Sequence, residues 1–140
     1  MAELLVELPS VVAVLASSEV CDLVEAPPGA ALLRVGPREV MLVGRVDAVS
    51  IRSAVGPDPL VDDVSDAWVS LVLEGTDAPA AYARLCELEP PTRGWIQGEV
   101  ARAPAKVLVE PGRITILVPA MLAAHVEERI RADAAEVLAS

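Results

Sequence analysis

Aromatic side chains are nearly missing from this sequence: two Trp, one Tyr and no Phe stand among 140 residues. Basic residues are also scarce, 11 Lys and Arg against 21 Asp and Glu, so the formal charge is −10. A phosphate-backbone binder needs cations to displace counterions, and base stacking needs rings. Both shortages therefore exclude a nucleic-acid partner. The two cysteines, Cys21 and Cys86, are isolated and form no CxxC pair, which excludes a disulfide framework and a zinc site built on them. The apolar run from Leu4 to Leu15 is broken by Glu7 and Pro9, far short of the ~20 residues a membrane-spanning helix requires. The start Met1-Ala2-Glu3 lacks the basic region of a secretory leader, so the expected compartment is the cytoplasm.

What is present is aliphatic. Hydrophobic residues make up 54% of the chain, almost all of them Ala, Val, Leu and Ile. That content is too high for disorder despite the charge. A chain of this length fits one domain, or two very small ones, and buries about 70% of its unfolded surface.

Proline and glycine punctuate the apolar segments. Leu4 to Leu8 reads as a strand, while Val11 to Val24 fits strand or helix equally. Ala31–Val35 and Glu39–Val43 flank Gly36-Pro37-Arg38, a hairpin signal. Val46, Val49 and Ile51 support a short helix before Gly56-Pro57. In the next strand, Val69, Leu71 and Leu73 alternate with Trp68, Ser70 and Val72. Gly75-Thr76-Asp77 supplies a turn and an N-cap, and Pro79 fits a first helical turn. The helix that follows carries Ala78, Tyr82, Leu85 and Leu88 or Cys86 on one face, and Pro90-Pro91 ends it. A second hairpin joins Ala105–Glu110 to Arg113–Val118 through Pro111-Gly112. Pro119 opens a last helix striped by Leu122, Val126, Ile130 and Val137. A hairpin-then-helix unit thus occurs twice, with a strand-then-helix unit between. The expected fold class is α+β, an antiparallel sheet with helices on one face in ββα–βα–ββα order.

Several residue groups invite a chemical reading. Asp58, Asp62, Asp63 and Asp66 could hold a hard cation, yet EF-hand spacing is absent and solvated or turn-capping carboxylates explain them better. His125, the only histidine, lies mid-helix and is better read as structural than as a general base. Cys86, with only Arg84 as a nearby base, is better read as a buried thiol than as a nucleophile. No P-loop, dinucleotide fingerprint or nucleophile elbow occurs. Gly94-Trp95-Ile96-Gln97-Gly98 is the nearest approach to a glycine loop, without the phosphate-cradling pattern and beside Glu99. Trp95 there is either an exposed contact residue or a ring folded over its own loop. Catalytic, cofactor-binding and metal-ligating residues are accordingly expected to be absent, and Trp68 and Trp95 are the expected partner contacts.

The run Asp63-Val64-Ser65-Asp66-Ala67-Trp68 through Glu74-Gly75-Thr76-Asp77-Ala78 resembles the D-x-S, apolar strand, G-x-D-A pattern of the aminomethyltransferase (glycine cleavage T-protein) fold. The Leu32–Val43 hairpin is similar to the L-x-L-G-P-(D/R)-E-x-L-L hairpin of the sarcosine oxidase gamma subunit family, which the chain resembles most. The resemblance covers Ala31 to Ile130 of a single domain over residues 1–140. Residues 1–30 form an N-terminal extension whose structure the pattern leaves open. It implies an aminomethyltransferase folate-binding-domain-like fold and a small, non-catalytic subunit of a heteromeric flavoenzyme that oxidises N-methyl amino acids such as sarcosine. Flavins, the nicotinamide dinucleotide NAD and tetrahydrofolate are then expected on larger flavoprotein subunits and not on this chain. The catalytic aspartate of full aminomethyltransferases has no counterpart in Gly98–Ala105, where Glu99 is the only carboxylate. Exposed aliphatic surface awaiting a partner fits the mean hydropathy of +0.49, and three rings leave little material for a flavin or pterin pocket. A stand-alone folate- or small-ligand-binding protein and a homo-oligomeric interaction domain are the alternatives.

Overall fold

The computed structural model describes residues 1–86 and 89–139. In chain order the strands are β1 (Glu3–Glu7), β2 (Val11–Leu15), β3 (Ala30–Gly36), β4 (Glu39–Gly44), β5 (Leu60–Asp63), β6 (Trp68–Glu74), β7 (Gly94–Val100), β8 (Ala103–Glu110) and β9 (Arg113–Pro119). The helices are α1 (Ser18–Leu23), α2 (Ala48–Val55), α3 (Ala78–Ala83) and α4 (Ala123–Asp133), with single 3₁₀ turns at Ser65–Ala67 and Ala120–Leu122. No helix among the described residues is long and apolar enough to cross a membrane.

Two compact units emerge, Pro9–Asp66 and Met1–Leu8 with Ala67–Ser140. The first holds a four-stranded sheet in the order β3-β4-β2-β5, the second a five-stranded sheet in the order β1-β6-β9-β8-β7. Every strand pair is antiparallel. The expected α+β class and antiparallel pairing are found, but the strands divide between two sheets where one was expected. Both expected hairpins form, as β3–β4 and β8–β9. The ambiguous stretch Val11–Val24 is both things in turn, β2 and then α1. The segment expected as an extension, residues 1–30, supplies β1 to one sheet and β2 to the other.

The repeat goes deeper than the hairpins. Each unit contains a strand, a helix, a hairpin and a helix: β2-α1-β3-β4-α2 in the first and β6-α3-β8-β9-α4 in the second, where β7 is an added edge. In each, the hairpin's second strand pairs with the strand before the first helix. That strand's other edge takes one further strand: β5 pairs with β2, and β1 with β6.

Each sheet covers one face with its own helices. In the first unit Val12, Val14, Val40, Leu42 and Val61 pack with Cys21 of α1 and Ile51 of α2. In the second, Leu71, Leu73, Val107, Ile114, Ile116 and Val118 pack against Tyr82 of α3 and against Val126 and Ile130 of α4. Of the expected stripe, Val126 and Ile130 are the buried residues of α4; Leu122 precedes the helix and Val137 lies beyond its end at Asp133, both half-buried against the same core. Helix α3 ends at Ala83, earlier than the expected face to Leu85, and Leu88 lies outside the described residues. Asp77 makes no side-chain capping bond on α3, contrary to the N-cap expectation; Pro79 in its first turn fixes the helical start.

Capping by carboxylates is found elsewhere. Asp47 accepts from the Ser50 N–H and hydroxyl at the start of α2, both at 2.8 Å, and Asp63 accepts from the Ser65 N–H at 2.9 Å. Hydrogen bonds from Ser50 hold the Asp47 carboxyl below its ordinary 3.8, and those from Ser65 do the same for Asp63. A carboxyl lowered in the folded state adds stability above its unfolded value that is lost as pH falls through the folded one. Below pH ~4, then, melting temperature should fall less steeply in the Asp47→Ala/Asp63→Ala double variant than in the parent. Equal slopes between pH 5 and 2 would contradict this.

Candidate functional site

The residues singled out in the sequence are dispersed. Asp58, Asp62, Asp63 and Asp66 are all exposed; Asp62 and Asp63 lie in β5, and Asp63 caps the following turn. Among the described residues no group of three or more His, Cys, Asp or Glu side chains could hold a metal ion. His125 is exposed on α4, and Cys21 is buried beneath the first sheet. Cys86 is half-buried, and its thiol donates to the Glu99 carbonyl at 3.2 Å.

The glycine-loop reading of Gly94–Gly98 is corrected. These residues belong to β7, paired residue for residue with β8 from Gly94↔Val109 to Val100↔Ala103. The turn between the two strands is Ala101-Arg102, both with positive φ (51° and 67°). Such a two-residue turn usually announces itself as Asn-Gly or Asp-Gly. With Ala and Arg there, the hairpin gave no local signal. Burial of Ala101 and a bond from its N–H to the Leu85 carbonyl at 3.3 Å hold the turn in place.

Trp68 and Trp95 are both half-buried, on the sheet face opposite α3 and α4. They do not meet. Trp68 stands opposite Pro119, Glu99 opposite Pro104, and Trp95 opposite Leu108. Along β7, Trp95 and Glu99 are four residues, about 13 Å, apart. Around Trp68 the sheet forms an open groove of about 530 Å³, lined also by Pro119, Pro104, Lys106, Gln97 and Glu99. The Lys106 ammonium lies 5.0 Å from the centre of the Trp68 ring, in cation–π range. Lys106 is the chain's single lysine and was overlooked in the sequence. Its place in β8, between the inward-facing Ala105 and Val107, was the available signal.

At the far end of this sheet Arg113 bridges strands, with its Nη1 2.9 Å from Glu74 and its Nη2 2.8 Å from Glu7. This ion-pair cluster joins β1, β6 and β9 and has no reactive partner in reach among the described residues. On the sheet face opposite α3 and α4, Ser70, Val72, Leu108, Thr115 and Leu117 are buried, and the aromatic, proline-flanked groove lies at one end of the sheet. Such a surface suits binding by contact.

No family model and no curated protein matches the chain. A solved structure does share its fold. A chain of the heterotetrameric sarcosine oxidase from Corynebacterium sp. U-96, solved in complex with pyrrole 2-carboxylate, aligns with a TM-score of 0.80 at 17% identity. The alignment covers 99% of this chain and 86% of that one. The regulatory subunit of aspartate kinase from Thermus thermophilus aligns over 93% of this chain and 95% of its own, at 12% identity and a TM-score of 0.48. The protein is thus an α+β chain with two antiparallel sheets. Its fold is that of a chain in a heterotetrameric sarcosine oxidase.

Proposed function

We propose that this chain is a small, non-catalytic, gamma-type subunit of a heteromeric, sarcosine-oxidase-like flavoenzyme that oxidises N-methyl amino acids in the cytoplasm. The observation that carries the reading is the likeness in fold to a chain of such an enzyme, which extends over 99% of this chain. The ordered motifs of the sequence, from the Leu32–Val43 hairpin to the terminal helix, support it independently of that fold comparison. On this reading the larger flavoprotein subunits carry the flavins, NAD and tetrahydrofolate. The groove at Trp68 holds one aromatic side chain, with the Lys106 ammonium over its ring. This chain's contribution is a contact surface, with Trp68 and Trp95 as the residues proposed to meet the partners.

Affinity purification of the tagged chain from its own host tests the assignment. Larger, flavin-containing chains are expected in near-equal amount, and recovery of the chain without them would overturn it. A second reading, a stand-alone folate- or small-ligand-binding protein, rests on the groove itself. Titration of the isolated chain with tetrahydrofolate separates the two, because a saturable change in Trp fluorescence is expected only of the ligand-binding protein.

A further inference from the structure

Among the described residues one buried side-chain oxygen has no hydrogen-bond partner, the phenol of Tyr82. Tyr82 is 1% exposed, so this oxygen is closed to bulk water. A buried hydroxyl left unpaired costs free energy, and such groups are rare enough to call for an explanation. The group beside it is the Cys86 thiol, which adds to burial in raising the phenol above its ordinary 10.0. A phenol raised in this way keeps its proton at neutral pH and remains a donor.

The two cysteines differ in their surroundings. Cys21 is 2% exposed, and its thiol donates to the Ala16 carbonyl at 3.9 Å. Cys86 is half-buried, and its thiol donates to the Glu99 carbonyl of β7 at 3.2 Å. Neither forms a disulfide. Of the two, only Cys86 combines access from solvent with a fixed phenol donor beside the sulfur. It directly follows Leu85, whose carbonyl accepts from the Ala101 N–H at 3.3 Å, so the sulfur stands where the chain after α3 meets the β7–β8 hairpin.

We propose that Cys86 is a site of oxidation by hydroperoxides, with the Tyr82 phenol as the donor that positions the reacting oxygen. The sulfur attacks one peroxide oxygen, the O–O bond breaks, and the second oxygen leaves with the thiol proton as water or an alcohol. Sulfur gives up two electrons and becomes a sulfenic acid, and the peroxide takes up the same two. The Tyr82 O–H donates to the oxygen that the sulfur gains, which supplies the orphaned phenol with its partner. A thiol reverses the step by displacing that oxygen as water and forming a mixed disulfide, which a second thiol reduces. An oxidase that passes flavin electrons to oxygen releases hydrogen peroxide, so the oxidant's source rests on the proposed function. The reaction of this chain with added peroxide does not.

Treatment of the full chain with hydrogen peroxide and dimedone, which traps sulfenic acid, tests it, read by peptide mass mapping. Cys86 is expected to carry the adduct and to form it at least about tenfold faster than Cys21. Tyr82→Phe keeps the ring and should slow the Cys86 reaction about fivefold, as loss of one hydrogen bond does. Iodoacetamide alkylates the sulfur without giving it an oxygen. Its rate at Cys86 should agree within about twofold between the parent and Tyr82→Phe. Labelling of Cys86 no faster than that of Cys21 would overturn the proposal. So would a Tyr82→Phe variant that reacts with peroxide as fast as the parent. Equal slowing with both reagents would overturn it too, because the phenol would then govern only access to the sulfur.

Discussion

Gly44→Ala is expected to destabilise the first unit by about 3 kcal/mol or more, the sum of backbone strain and a clash that side-chain motion cannot relieve. Gly44 ends β4 with φ +124°, a region that residues with a Cβ rarely adopt. A Cβ built there falls 2.5 Å from the Gly29 carbonyl oxygen and 3.1 Å from the Ala30 Cα. Both are backbone atoms. The Gly29 oxygen is also fixed, accepting from the Arg45 N–H at 2.9 Å, while the Gly44 N–H donates to Ser10 at 3.1 Å. The added methyl must therefore pull β3 and β4 apart where Ala30 pairs with Gly44. Gly56→Ala is the control for backbone strain without a clash, because φ there is +87° and nothing lies within 4 Å of the built Cβ. Thermal melts of the two variants should separate the terms, with Gly44→Ala melting well below Gly56→Ala. Equal melting temperatures would show that crowding at Gly29 costs nothing.

A loss of comparable size, about 3–5 kcal/mol, is expected for Tyr82→Ala. Tyr82 is the only tyrosine and is 1% exposed, the largest of the fully buried side chains. In a core otherwise built of Ala, Val, Leu and Ile it is the one ring, and small aliphatic neighbours cannot swell to fill the space it would vacate. Tyr82→Phe keeps the ring and should cost no more than about 1 kcal/mol. It also supplies a pH test. Burial, with the neighbouring Cys86 thiol adding to it, pushes the phenol above its ordinary 10.0. The unfolded chain therefore gives up this proton first. Stability is fully present below pH 10 and falls as pH rises above it. The parent should lose melting temperature above pH 10 more steeply than Tyr82→Phe. Parallel slopes would place the phenol in contact with water.

Local elements were legible in this sequence because their signals are local. The Gly36-Pro37 and Pro111-Gly112 hairpins, the alternation from Trp68 to Glu74 and the Val126 and Ile130 part of the last helix's stripe all follow from neighbouring residues. What escaped is long-range. Nothing near Leu4 says that β1 will pair with β6 some 65 residues on, nor that β5 will return to β2. The division into two sheets follows from those pairings. Strand β7 escaped for a different reason, since its two glycines suggested a loop and its turn is made by Ala101-Arg102. At the candidate site, Trp68, singled out in the sequence as a candidate partner contact, is half-buried and lines the groove. Its neighbours Lys106, Pro104 and Pro119 come from β8 and β9, so only the sheet could assemble the groove. Trp95 belongs to a different row of the same face, and the sequence had no means of separating the two.

Native mass spectrometry of the chain purified under gentle conditions from its own host tests the central claim most directly. The account predicts one assembly that contains this 14.6 kDa chain, larger subunits and bound flavin, and that oxidises N-methyl amino acids. The chain alone, or its homodimer without flavin, would contradict assignment to an amine-oxidising complex.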